Sequence, residues 1–533
     1  METLWTIVGL VVIAFLAKSF ASNWMRRFRA ARDKAYNKTI QQNVARDIAN
    51  GMKPVGESWG GSSHGAAYFL STQQLLDKNL AIEQGDVRDV GRIYLGGHAT
   101  GRPNMPSQVA EICAPKEGHI ITVAPTRSGK GTCHVVPNLL TYVGSAIVND
   151  IKGENADITT RFRKSTGQKV FRFAPFEKDS ANWNPLDFIS DGGNKGSDAS
   201  IMADMLIMDY GGEEAFWTVE AKNLLSGVIM YVMTNGKPEE RTMENIRAHL
   251  MLPPVNFDKM LDNMSKSDSK FVRHAAIGFR KAPDKVQDSV ISTINSNMKI
   301  WECDEIEAVT GTSDFKFEDL KNERITIYFC IPPELIDVCA PLMRLFFGQA
   351  IKAMTRNDAQ AEWPVTFFLD EFVQLGRMEP IQNGLSYLAG YGVRLWLFAQ
   401  DLGQIEGIYG RDKSRSILAN CGCRVFLGTN DPETSKYVSD MCGTMTVPTQ
   451  SSSKNQPNRI AANAGSESES ISLTGRPLML PEEVEQLAAE GQQLVFIQGE
   501  NPTLGDLIKY YEYPDIYPPE DYDKWKGAPE NYL

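Results

Sequence analysis

The run Ala124-Pro125-Thr126-Arg127-Ser128-Gly129-Lys130-Gly131-Thr132 is the strongest local sign of chemistry in this chain of 533 residues. It follows an apolar stretch and precedes a helical one, the setting that a phosphate-binding loop requires. In such a loop, backbone N–H groups and a helix N-terminus hold the anion, and the lysine, here Lys130, reaches the β- and γ-phosphates. The match to G-x-x-x-x-G-K-[ST] departs at two places. Ala124 stands at the first glycine, and Gly131 stands where a hydroxyl residue usually holds Mg2+. Thr132 comes one residue late, about 100° further round a helix. Another group or water must then complete the metal shell. ATP with Mg2+ is the expected cofactor, bound by Pro125, Thr126, Arg127, Ser128, Gly129, Lys130, Gly131 and Thr132.

Two carboxylates, Asp370 and Glu371, end the apolar run Val-Thr-Phe-Phe-Leu at 365–369. A buried central strand delivers acids at its carboxyl end, where ligands bind in parallel sheets. Asp370 is placed to hold Mg2+, and Glu371 to orient and deprotonate the attacking water. One helix later, the run 394–399 ends in Gln400, either a sensor of the γ-phosphate or a simple cap. Asp150-Ile151-Lys152-Gly153-Glu154 closes the strand after the loop's helix and reads equally well as a nucleotide-facing segment or a plain turn. Arg394, Arg411, Arg415 and Arg424 are candidates for an arginine supplied in trans, with a structural role the competing reading for each. Lys266, Lys270, Arg273, Arg280, Lys281 and Lys285 form a basic stretch that fits a solvated helix face better than a phosphate contact.

The elements that must position these groups alternate strand and helix. The runs 119–124, 145–149 and 169–173 read as buried strands separated by helices, the signature of a parallel sheet covered on both faces. From 192 to 309 the alternation stops and helical periodicities take over, as at 216–234 and 286–301, which predicts an all-α insertion. Strands resume at 325–331, 365–369, 394–399 and 424–428, followed by a helix at 481–490 and a strand at 493–498. The stretch 447–474, rich in Ser, Asn, Gln and Glu without periodicity, predicts a mobile loop.

The net charge of -11 argues against a surface coated for nucleic acid, while leaving room for a locally basic pore. Eight cysteines with no C-x-x-C pair fit a reducing compartment. Residues 4–21 are apolar except for Thr6, Lys18 and Ser19. Eighteen helical residues span about 27 Å, close to the hydrocarbon thickness of a bilayer. Trp24, Arg26, Arg27, Arg29, Arg32 and Lys34 follow as an aromatic and basic cytoplasmic flank. The expectation is a single span with the bulk of the chain in the cytoplasm; a buried core helix and, with no positive charge ahead of the run, a cleaved signal peptide are the weaker readings.

Together these residues resemble the type IV coupling protein family, the motors of conjugative DNA transfer and type IV secretion. The resemblance runs from about 61 to 511. It rests on His64-Gly65-Ala66-Ala67, the loop at 124–131, Pro137-Asn138-Leu139-Leu140, the segment 150–154, Asn184-Pro185-Leu186-Asp187, Phe216-Trp217, the segment 368–372 and Arg476-Pro477-Leu478. Gly131 is a variant that the family shares. The resemblance implies an α/β, RecA-like P-loop motor domain with an inserted all-α domain and an N-terminal transmembrane helix in the bacterial inner membrane. The expected layout is an anchor at 1–21, a basic linker at 22–60, the motor domain at 61–191 and 310–513, the all-α domain at 192–309 and an acidic tail at 514–533. It further implies a homo-hexamer that presents relaxase–DNA complexes, single- or double-stranded DNA or protein effectors to the subunits of a type IV secretion channel. Many members carry two transmembrane helices, whereas this sequence shows one span. A septal double-stranded DNA translocase and a non-hydrolysing docking receptor are the alternatives. The Asn-Pro-Leu-Asp and Arg-Pro-Leu elements argue against the first, and Lys130, Asp370 and Glu371 against the second.

Overall fold

The computed structural model describes residues 65–82, 91–99, 109–190, 194–208, 215–454 and 467–512. The expected anchor, linker and tail lie outside them. Among the described residues no helix is long and apolar enough to cross a membrane. They fall into two compact units, one formed by 65–71 with Asp440–Met479, the other by the rest.

The larger unit is an α/β structure built on a sheet of twelve strands. In chain order these are β1 (Ala81–Ile82), β2 (Tyr94–Ala99), β3 (Val109–Cys113), β4 (Ile120–Val123), β5 (Ala146–Asn149), β6 (Lys169–Phe173), β7 (Ile325–Phe329), β8 (Val365–Leu369), β9 (Val393–Ala399) and β10 (Cys423–Phe426), with β13 (Gln492–Ile497) and β14 (Thr503–Asp506) after them. The spatial order is β1-β3-β2-β14-β13-β10-β4-β9-β8-β5-β7-β6. From β10 to β6 every neighbouring pair is parallel. The pairs from β10 to β1 are antiparallel. Strands β4, β5, β7, β8 and β9 are buried along their whole length, which is why their sequences are largely apolar without regular alternation.

Between β6 and β7 the described chain holds helices and no strand, including Lys195–Leu206, Ala215–Asn235, Met243–Leu250, Pro254–Ser265, Lys270–Lys281 and Asp284–Met298. The Asn-Pro-Leu-Asp element fastens this segment. Asn184 accepts from Leu186 N at 3.0 Å, capping the turn Pro185–Phe188, and donates from its side chain to Arg241 O at 2.9 Å and Gly311 O at 3.2 Å. In the basic stretch, Arg280 is bonded to Asp262 Oδ1 at 2.6 Å, while Lys266, Lys270, Lys281 and Lys285 are exposed.

In the smaller unit, β11 (Thr444–Lys454) and β12 (Glu467–Pro477) pair antiparallel in register from Thr444 opposite Pro477 to Lys454 opposite Glu467. The loop expected over 447–474 is therefore corrected: 447–454 and 467–474 are strand, and 455–466 lie outside the described residues. The expectation failed because hydrophobic alternation is the local sign of a strand, and polar residues such as Ser, Thr, Gln and Glu interrupt it in both of these; what marks them as strands is the backbone register. The short strands β3 and β14 were also not foreseen.

Candidate nucleotide site

The carboxyl ends of four parallel strands line up by register. Val123 of β4 pairs with Ala399 of β9, Leu397 of β9 with Leu369 of β8, and Leu369 with Asn149 of β5. The residues that follow, Ala124, Gln400, Asp370 and Asp150, therefore emerge along one edge. β9 lies between the strand feeding the loop and the strand carrying the acids, so Gln400 stands between the two groups it can report on.

Beyond β4 the chain turns tightly. Ala124 N donates to Ala399 O at 2.9 Å, and Ser128 N donates to Pro125 O at 3.2 Å. Arg127 and Gly129 both take left-handed φ values, 65° and 96°. A Cβ at Gly129 would approach Cys133 Sγ to 3.2 Å, so φ and space both call for glycine there. The helix opens with a wide π turn, Gly131–Val135, and continues as Val136–Leu139. It is held firmly by buried polar groups. Asn138 accepts from Tyr94 N at 2.8 Å and donates to Tyr94 O at 2.8 Å, and His134 bonds Gln493 at 2.8 Å. Arg163, fully buried, donates to Leu139 O at 2.9 Å, Tyr142 O at 3.0 Å and Gly144 O at 2.8 Å. A guanidinium thus satisfies the carbonyls at the helix's carboxyl end.

Lys130 is brought to both acids: its Nζ lies 3.2 Å from Asp370 Oδ1 and is bonded to Glu371 Oε1. Burial alone would lower the ammonium pKa, but the two carboxylates outweigh it and raise it. The Asp370 carboxyl is pushed up by burial, against the pull of Lys130. Glu371 sits at φ 50°, in the left-handed region, a strained backbone that turns the chain sharply after β8. Gln400 Nε2 donates to Glu371 Oε2 at 3.3 Å, and Thr126 Oγ1 donates to Gln400 Oε1 at 3.4 Å. Lys130, Asp370, Glu371, Gln400 and Thr126 thus form one connected cluster. Arg127 is exposed, and Pro125, Gly129 and Gly131 are half-buried along the loop. Thr132 Oγ1 turns back to Gly129 O at 3.2 Å.

Asp150 is buried and serves as a cap. It accepts from Ala156 N at 2.7 Å and Asn155 N at 3.3 Å, at the start of helix Glu154–Ser165. Burial lifts its carboxyl to about 7. Of the four candidate arginines, Arg394 is removed by the structure. It lies near the amino end of β9, away from the cluster, is 1% exposed, and donates to Pro115 O at 2.8 Å and Gly118 O at 3.2 Å. Arg424 bonds Tyr437 Oη at 3.1 Å. Arg411 and Arg415 are exposed and one turn apart on helix Arg411–Asn420.

The cluster suits a nucleotide with a divalent cation. A lysine beside a tight loop meets phosphate, Asp370 offers hard oxygen, and Ser128 Oγ and Asn149 Oδ1 are buried without a partner among the described residues. Asn149 was not anticipated from the sequence, because nothing in an apolar strand ending marks its last residue as part of the site.

A family profile described as type IV secretory system conjugative DNA transfer matches residues 69–526, most of the chain. This chain belongs to that family. Coupling-protein relatives match as follows. Protein VirD4 of Rhizobium rhizogenes is 31% identical over 415 residues, covering 74% of this chain and 59% of that protein. Conjugal transfer protein TraG of Escherichia coli is 29% identical over 425 residues, covering 75% of this chain and 66% of that protein. The match thus spans about three-fifths of the length of the VirD4 relative. Among solved structures, the coupling protein TrwB superposes with a TM-score of 0.62 at 14% identity, over 85% of this chain and 97% of that one. TrwB has been solved with the ATP analogue ADPNP and with ADP and Mg2+. At that identity the likeness is one of fold.

Proposed function

We propose that this coupling-protein family member is a membrane-anchored ATPase that recruits DNA–relaxase complexes, protein effectors or both, and delivers them to a type IV secretion channel. The observation that carries the reading is the convergence of Lys130, Asp370, Glu371 and Gln400 at one edge of the parallel sheet. The nucleotide complexes of TrwB support ATP and Mg2+ as cofactors, and the VirD4 and TraG relatives support the transfer role.

Within this reading the parallel sheet is a RecA-like motor. ATP with Mg2+ supplies a phosphoanhydride whose cleavage drives movement. The loop's N–H groups and Lys130 bind and orient the phosphates, and Asp370 would hold the metal. Glu371 positions water and takes its proton, and Gln400 holds Glu371 in place. Arg411 or Arg415 reaches the site of a neighbouring copy in a homo-hexamer. The apolar run 4–21 with its basic flank supports a single span in the inner membrane. Hydrolysis by the full chain, titrated against protein concentration and single-stranded DNA, tests the assembly: specific activity rises with both. Specific activity that stays flat across both titrations contradicts it.

A further inference from the structure

The loop leaves one metal position without its usual side chain. Gly131 offers no hydroxyl, although a Cβ there would meet no atom within 4 Å, so the residue type and not the space excludes one. Thr132 Oγ1, one residue late, is turned back onto the loop, where it donates to Gly129 O at 3.2 Å. The strand next to β8 supplies a different oxygen. Asn149, fully buried at the end of β5, donates from Nδ2 to the backbone oxygen of Asp370 at 2.5 Å. A carbonyl only accepts, so this bond fixes which end of the amide is nitrogen. Oδ1 is the other end, buried beside the metal-binding aspartate, and it has no partner among the described residues. Buried acceptors are nearly always paired in folded proteins, so one left over at a ligand site points to what the ligand brings.

We propose that Asn149 Oδ1 accepts a hydrogen bond from a water on the nucleotide-bound Mg2+, and so positions the metal that Gly131 leaves without a hydroxyl. This rests on the reading of 124–132 as a nucleotide site. Asn149 is a positioning residue: it touches neither phosphate nor the attacking water. Ser128 Oγ, the other unpartnered oxygen of the site, belongs to the loop ahead of Lys130 and is assigned to a phosphate, which makes it the control.

The test is ADP affinity of the full chain with Mg2+ and with EDTA, which needs no turnover. Mg2+ should tighten ADP binding to the wild type. Asn149→Ala should keep the metal-free affinity and lose about 10–100-fold of the metal-dependent gain, the usual cost of removing a partner that orients a metal's ligands. Adding Gly131→Ser to that variant should recover the gain, because the new hydroxyl meets the metal directly. Asn149→Asp, which keeps the acceptor but loses the amide donor to Asp370 O, should retain more of the gain than Asn149→Ala, while Ser128→Ala should weaken ADP equally with and without metal. An undiminished gain in Asn149→Ala overturns the proposal. So does an equal loss in Asn149→Ala and Asn149→Asp that Gly131→Ser does not repair, since Asn149 would then serve only to brace Asp370. A wild type that binds ADP without any metal-dependent gain overturns the proposal alone. A wild type that binds no ADP overturns the nucleotide site with it.

Discussion

Lys130 and Glu371, 241 residues apart in the chain, are bonded to each other at the edge of the sheet. Asp370 lies on the same ammonium at 3.2 Å. In the proposed function, a phosphate arriving at the loop competes with these carboxylates for Lys130, and Gln400 Nε2, 3.3 Å from Glu371 Oε2, would keep the released acid in place. In that reading, binding and activation of the acid are linked through one side chain.

Lys130→Ala removes the cation that both acids and the phosphates share. The expected result is a folded protein with loss of ATP hydrolysis and of substrate transfer, with transition-state stabilisation reduced by roughly 3 kcal/mol. Circular dichroism together with a transfer assay checks it. Wild-type transfer by this variant would remove Lys130 from the site.

The arginines divide by burial. Arg394→Ala leaves the carbonyls of Pro115 and Gly118 without their donor and should cost about 3 kcal/mol of stability in denaturant unfolding. Arg411→Ala and Arg415→Ala, on an exposed helix face, should change stability by less than about 0.5 kcal/mol. At least one of the two should lower hydrolysis by about 10³-fold at concentrations where the protein assembles. Full hydrolysis by the double variant would exclude that helix as the trans donor.

Acid should weaken the fold through two histidines. Burial lowers His119 and His134 to about 4, from 6.5, so both stay neutral in the folded chain. Below pH 6.5 the unfolded chain binds protons that the folded one refuses. Each histidine therefore contributes stability that is whole above 6.5 and is lost as pH falls toward 4, about 2 kcal/mol by pH 5. Asp150, raised to about 7, works in the opposite sense and offsets part of this. In His134→Asn the slope of unfolding free energy against pH between 6.5 and 5 should fall by one proton. An unchanged slope would show that His134 is charged in the fold.

The parallel strands were legible because burial on both faces writes them as largely apolar runs, and the side chains that cluster at their carboxyl ends could be located because they follow those runs directly. What was not legible depends on pairing at a distance. The β11–β12 ladder is set by backbone pairing between strands whose polar sequences carry no apolar period. Arg394 read as a candidate near Gln400, but β9 runs the full depth of the sheet and places the two at opposite ends. Asn149 owes its place to the neighbouring strand and to an oxygen left without a partner. Neither feature has a trace in local sequence.

The most direct test of the account is Glu371→Gln. The amide keeps the shape of the side chain and its contact with Gln400, but cannot take a proton. Single-turnover measurement with radiolabelled ATP should show binding within a few-fold of wild type and cleavage slowed by about 10²–10⁴-fold. Cleavage at the wild-type rate with binding intact would contradict the assignment of Glu371 as the base and, with it, the mechanism built on this cluster.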